Sequence, residues 1–320
     1  MVDYIDIIRT IVISFVITII LGPIFIPLLR KLNIGQNVRD DGPSTHLKKS
    51  GTPTMGGIII LIALLITTLT SGMVNGDIIV LLLSTFGFGL IGFIDDFIKV
   101  VKKRSLGLKA YQKLLGQTIL AVILAIYQSN TSVLGTKVIV PFTDKFLDLG
   151  PFYVPFIVFV VVGTVNSVNL TDGLDGLASG VTLIVLSFFG IVAPSWGMSS
   201  TSIFSVALAG ACLGFLIYNA YPAKVFMGDT GSLALGGAVS GIAILLNLPL
   251  IIPIVGGIYF VEALSVIIQV ISYKLTGRRV LLMAPLHHHY EQKGWKETKV
   301  VAIFWSITVL LCILGIVGLN

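Results

Sequence analysis

Asp95 and Asp96 close a glycine-rich apolar run, Phe86 to Ile94, in a chain where only 11% of 320 residues are Asp, Glu, Lys or Arg. An average soluble domain carries roughly 25% of these residues. A carboxylate at mid-membrane costs about 2.5–3.5 kcal/mol on insertion scales. Acidic groups kept in so apolar a chain are therefore candidates for chemistry. Two further stretches hold them: Asn169-Leu170-Thr171-Asp172-Gly173-Leu174-Asp175-Gly176 and Phe226-Met227-Gly228-Asp229-Thr230-Gly231. With Lys48, Lys99, Lys109 and Lys113 available for phosphates, they point to a metal site for phosphate chemistry at a membrane surface.

Spacing refines this. Asp95 and Lys99 are four apart and share a helical face, while Asp96 projects about 100° away, so the neighbours are expected to play unequal parts. Asp95 is assigned to an acceptor phosphate, as base or positioning group, and Asp96 to orienting Lys113 or another lysine, or to indirect contact with the metal. Asn169 and Asp172 are three apart at a helix junction, with Asp175 in the same turn. Asp229 opens a span, where acids are favoured and backbone N–H groups bind anions. It is the expected ligand of Mg²⁺, which takes one or two carboxylates and keeps several waters. Asn219, Lys224 and Phe226 precede it in one loop, and Phe226 offers an aromatic face to a planar base. His287-His288-His289 cannot all point inward. His288 and His289 are the first choices, bonding to phosphate rather than to Zn²⁺. The plainer readings are helix caps for the aspartates and an interface anchor for Phe226.

Candidate catalytic residues are thus Asp95, Asp96, Asp229, His288 and His289. Candidate substrate-binding residues are Lys48, Lys99, Lys113, Asn169, Asp172, Asp175, Asn219, Phe226, Gln269 and His287.

Elements of a membrane protein must position these groups. Apolar residues make up 55% of the chain, which predicts an all-α, polytopic membrane protein with one domain over residues 1–320. Ten apolar runs suit spans of about 30 Å, at 8–29, 55–71, 78–97, 113–128, 153–170, 174–193, 201–219, 231–248, 251–273 and 299–318. The second and fourth are short. Of 21 lysines and arginines, all but Arg9, Lys137 and Lys145 fall in one alternating set of connections. The positive-inside rule places that set, and with it the aspartates and histidines, in the cytoplasm and both termini outside. No cleavable signal follows the first run. Cys212 and Cys312 fall in predicted spans, which disfavours a disulfide. Gly87-Phe88-Gly89-Leu90-Ile91-Gly92 fits a dinucleotide fingerprint but lacks the strand that should precede it. Asn130-Thr131-Ser132 is a chance-level glycosylation sequon, and Gly237 to Gly241 reads as close helix packing. Glu262 lies deep in the ninth span with Ser265 and Gln269 on its face, so the stripe should meet a cavity or a partner helix.

In combination these motifs resemble the phospho-N-acetylmuramoyl-pentapeptide transferases, the MraY family of bacterial cell-wall enzymes. The matching stretches are Gly42 to Gly57, Asp95-Asp96, Asn169 to Gly176, Asn219 to Gly237 and Pro285 to Glu291. Polyprenyl-phosphate sugar-phosphate transferases that use UDP-N-acetylglucosamine share the aspartates but usually end their histidine motif His-His-Arg. Leu281-Leu282 departs from an aromatic–basic pair frequent in relatives. The resemblance implies Mg²⁺-dependent transfer from UDP-N-acetylmuramoyl-pentapeptide to undecaprenyl phosphate in the bacterial cell membrane, giving lipid I and UMP. It implies membrane lipid and no nucleic acid as partners, and leaves room for a homodimer. A transporter would instead place its carboxylates near the midplane in broken helices.

Overall fold

The computed structural model describes residues 3–31, 51–102 and 106–319. Its helices are α1 (Tyr4–Lys31), α2 (Gly57–Thr70), α3 (Gly76–Val101), α4 (Ala110–Thr131), α5 (Tyr153–Thr171), α6 (Leu177–Val192), α7 (Ser199–Asn219), α8 (Gly228–Leu245), α9 (Ile252–Val255), α10 (Gly257–Thr276), α11 (Leu286–Gln292) and α12 (Glu297–Val317). Among the described residues nine helices are long and apolar enough to cross a membrane, and α2 is a tenth, shorter apolar helix of 14 residues. The protein is a polytopic, mainly helical membrane protein.

Four local features depart from the sequence reading. The fourth span is not short, since α4 runs for 22 residues. The ninth breaks at Gly256, leaving the single turn α9 before α10. Strands β1 (Lys137–Ile139) and β2 (Phe146–Asp148) form an antiparallel hairpin with Val138 opposite Leu147, so the chain is not purely α. The histidine segment, which no predicted span covers, is a short helix, α11.

Helices α7 and α8 form the centre: 83% and 89% of their most apolar windows are buried, against 22% for the peripheral α1, α4 and α10. The inner helices are rich in Gly, Ala and Ser, which lets backbones approach where lipid supplies no hydrophobic drive between helices. The outer ones turn side chains such as Ile5, Leu83, Phe159 and Leu275 outward.

The approach that positions the site is α3 on α8. Ser84 donates to the Gly237 carbonyl (3.3 Å) and the Phe88 ring lies on Gly237. One turn on, Gly89 meets Ala234, and at Gly92 a side chain would strike the Asp229 carbonyl and the Thr230 nitrogen. Asp95 and Asp96 follow within a turn and so stand beside Asp229. The other ends agree: Glu297 at the start of α12 accepts from the Asp175 N–H (2.7 Å), and Gly22, late in α1, lies on Tyr218, late in α7. The start of α1 and the end of α12 therefore lie at the end of the bundle opposite the aspartates.

Gly92→Ala should lower thermal stability in detergent by about 1–3 kcal/mol through overpacking. Gly163→Ala, whose added methyl meets nothing within 4 Å, should leave stability unchanged or slightly raised. An equal effect of both on the melting curve would remove the tight crossing from the account.

Candidate active site

Three carboxylates and two ammonium groups converge where α3, α4 and α8 meet. Lys99 Nζ lies 2.7 Å from Asp95 Oδ2, 3.0 Å from Asp229 Oδ2 and 3.7 Å from Asp96 Oδ1. Lys113, in the first turn of α4, reaches Asp229 Oδ2 at 2.6 Å and Asp95 Oδ2 at 3.0 Å. Asp95 is fully buried. Its Oδ1 accepts from the Leu108 N–H (2.7 Å), and a side chain on Gly107 would strike the carboxylate. The segment before α4 is thus folded over Asp95. Asp229 is the open member, with 17% of its side chain exposed, and its Oδ1 accepts from Asn169 Nδ2 at 3.0 Å.

Asp96 is turned to a different task. Its Oδ2 accepts from the Thr230 N–H (2.8 Å) and hydroxyl (2.7 Å), and its Oδ1 from the Asp229 N–H (3.3 Å). It caps α8 from another helix, satisfying backbone donors that the first turn leaves free. Gly228 makes room with φ +73°, and a Cβ there would press on Asp96 and Thr54. The geometry gives Asp95, not Asp96, the lysine-orienting position. The sequence reading put Asp96 there although the i,i+4 pair is Asp95 with Lys99, because a cap reaching across helices cannot be read from one helix.

The α5–α6 turn is knitted to its neighbours. Asp175 Oδ2 accepts from the Ala223 N–H (2.9 Å). Asn219 accepts from the Gly176 N–H (3.2 Å) and the Ser179 hydroxyl (2.8 Å) and donates to the Val225 carbonyl (3.1 Å). These bonds tie Asp175 and Asn219, both expected from the sequence to bind substrate, to the neighbouring loop backbone. Asp172 is half-buried. Desolvation, reinforced by Asp229, Asp96 and Asp175, pushes its carboxyl well above the usual carboxylate range, so it can carry a proton. Phe226 is half-buried, and its backbone pairs with the 53–56 segment: Phe226 N–H to Pro53 (2.8 Å) and Gly56 N–H to Phe226 (2.8 Å).

In the histidine helix the inward residue is His287. It is buried, its Nδ1 is 3.1 Å from Glu262 Oε1, and its Nε2 faces Gly173 in the α5–α6 turn. His288 bonds Glu291 through Nδ1 at 2.7 Å. His289 accepts from the Leu282 N–H at 3.1 Å, and burial and Lys293 push its imidazole below the ordinary value. The sequence reading preferred His288 and His289; the residue that the structure turns inward is His287, toward Glu262 on another helix. Gln269, expected from the sequence to bind substrate, accepts from the Val280 and Leu281 N–H groups and donates to the Leu281 carbonyl (2.9 Å), bracing the approach to α11. Lys48 lies outside the described residues. Sequence reasoning missed Thr230, Leu108 and Glu297, whose parts are played by backbone or across helices.

The cluster suits a cation. One oxygen each from Asp95, Asp96 and Asp229 lies within 4.8 Å of the others, hard donors of the type magnesium and calcium take. Lys99 already sits among all three. With two ammonium groups against three carboxylates, one carboxylate charge is left uncompensated.

Comparison with known proteins matches residues 78–247 to the glycosyl transferase family 4 model and residues 49–61 to the first phospho-N-acetylmuramoyl-pentapeptide-transferase signature. Curated relatives carrying the name phospho-N-acetylmuramoyl-pentapeptide-transferase include one from Alkaliphilus oremlandii, 63% identical over 98% of both chains. Another, from Alkaliphilus metalliredigens, is 62% identical over 100% of both, and one from Clostridioides difficile is 56% identical over 97% of this chain and 96% of its own. Identity of this order along the whole chain, with the signature match at residues 49–61, means that the chain belongs to the phospho-N-acetylmuramoyl-pentapeptide transferase family.

Proposed function

We propose that the protein transfers phospho-N-acetylmuramoyl-pentapeptide from its UDP-linked donor to undecaprenyl phosphate, releasing UMP and forming lipid I, at the cytoplasmic face of a bacterial cell membrane. The observation that carries this is the convergence of Asp95, Asp229, Lys99, Lys113 and Asn169 at one end of the bundle. A soluble donor and a lipid acceptor can meet only at such an end. The basic connections put that end inside by the positive-inside rule. The same fold placed around UDP-N-acetylglucosamine is the alternative, and Pro285 to Glu291 argues for the muramoyl-pentapeptide substrate.

The acceptor phosphate is already anionic near pH 7, so the chain's task is positioning and charge neutralisation more than proton removal. Lys99 and Lys113 are held by Asp95 at the mouth of the site and bind phosphate oxygens. Asp95 has both oxygens engaged and serves as their positioning group. Asp229, the exposed carboxylate, would hold Mg²⁺ with Asp95 and Asp96 behind it, and that ion would neutralise diphosphate charge. The segment 106–109 keeps water from Asp95. Asn169 fixes the Asp229 carboxylate, and Asp172, protonated, donates to the donor substrate. Phe226 stacks on the uracil ring.

Release of labelled UMP on addition of both substrates and Mg²⁺ tests the reaction; UMP release with the UDP-N-acetylglucosamine donor alone would favour the alternative. Asp229→Asn should abolish turnover while the protein still extracts as a folded species, and metal-dependent activity in that variant would refute its assignment as ligand. Phe226→Ala should weaken uridine nucleotides by roughly 1–3 kcal/mol, the size of a lost stacking contact. Unchanged affinity in a binding titration would return Phe226 to the role of interface anchor.

A further inference from the structure

Glu262 is a fully buried carboxylate in α10 that the reading above does not use. Its Oε1 accepts from the His287 backbone N–H at 3.2 Å, and His287 Nδ1 lies 3.1 Å from the same oxygen. The other oxygen, Oε2, is buried without a hydrogen-bond partner, and so are both ring nitrogens of His287, so the approach of Nδ1 to Oε1 is a close charge contact and not an aligned hydrogen bond. Both side chains are 0% exposed. On the far side of the ring, Nε2 and Cε1 press on Gly173 so closely that no side chain fits there. The imidazole is thus held at one pole by a carboxylate and presents the other to the Asn169–Gly176 turn, beside Asp172.

A carboxylate against Nδ1 fixes the ring's tautomer and orientation, as an outer carboxylate does for a catalytic or metal-bound histidine. With a proton kept on Nδ1, Nε2 is the nitrogen that meets a ligand. If Nε2 also carries a proton toward a phosphate oxygen, Glu262 balances the imidazolium. A carboxylic acid that merely filled space would have no need to hold the His287 backbone N–H on the same oxygen that the ring's Nδ1 approaches. We infer that Glu262 is a positioning residue of the transfer reaction, acting through His287 to aim Nε2 at the phosphate-bearing part of the donor substrate. This rests on the transferase reading and on His287 as its inward histidine.

The test is a double-substitution cycle on the full-length enzyme in detergent, with both substrates. Glu262→Gln keeps size and an acceptor oxygen but removes the charge. It should lower kcat on the order of ten- to a hundredfold, as loss of an outer-shell carboxylate does, with little change in KM for the donor. Glu262→Asp should recover part of that loss. In a His287→Ala background Glu262→Gln should cost nothing further, because its route is already gone. Full activity of Glu262→Gln would mean a neutral, purely structural acid and would overturn the proposal. So would an equal loss in both backgrounds, including a loss that tracks a lowered melting temperature. Failure of the unsubstituted enzyme to release UMP would defeat the transferase reading instead, and full activity of His287→Ala would remove His287 from it.

Discussion

The site hangs on one helix crossing made backbone to backbone. At Gly92, α3 lies directly on the first turn of α8, and a turn later Asp96 receives two N–H groups and a hydroxyl from that same turn. Lipid tails are as apolar as leucine, so helices in a membrane are held by close packing and by polar bonds rather than by water's expulsion. Here both act at the same point. The cap at the start of α8 belongs to α3, and this ties the acidic end of one helix to the acidic start of the other. Asp95 and Asp229 come together as a consequence, with Asp96 spent on the joint.

Bringing carboxylates together in a poorly hydrated place creates an electrostatic problem. Lys99 and Lys113 answer it, each bridging Asp95 and Asp229. Removing one partner from such a buried arrangement typically costs about 3–5 kcal/mol, because a charge is left uncompensated. The same arithmetic favours one kind of visitor. A ligand carrying phosphate oxygens together with a divalent cation can exchange partners throughout, the lysines turning to phosphate and the carboxylates to the cation, with no group stranded. An anion alone, or a cation alone, leaves one sign in excess.

Much of this was legible in the sequence, for definite reasons. Spans of some twenty apolar residues are long signals, and each of the ten was found within a few residues of its helix or, for the second, as the short α2. Carboxylates in such a chain are costly enough to mark the site by themselves, and the three stretches that hold them do meet. Short signals failed. Three residues of β1, four of α9 or the seven of α11 carry too little periodicity to stand out. Roles within the cluster were also hidden, because they depend on partners from other helices. Asp96 looked like the lysine's orienter until Thr230 was beside it. His288 and His289 looked better than His287 until Glu262 fixed which way the helix faces.

Hydrogen-bond satisfaction separates the polar residues that shape this site from those that face a ligand. Asn219, Gln269 and Asp175 give their side chains to backbone groups of neighbouring loops. In a membrane protein such bonds are the means of holding irregular backbone in one conformation, since unpaired N–H and C=O groups are costly there. They set the loops from 172 to 176, 219 to 228 and 278 to 285 rigidly around the cluster. Asp229 is different in being partly open, and His287 in having a ring nitrogen with nothing opposite it but Gly173. Rigid loops around groups left incomplete describe preorganisation: the ordering cost is met during folding, and a bound phosphate then finds its donors already in place.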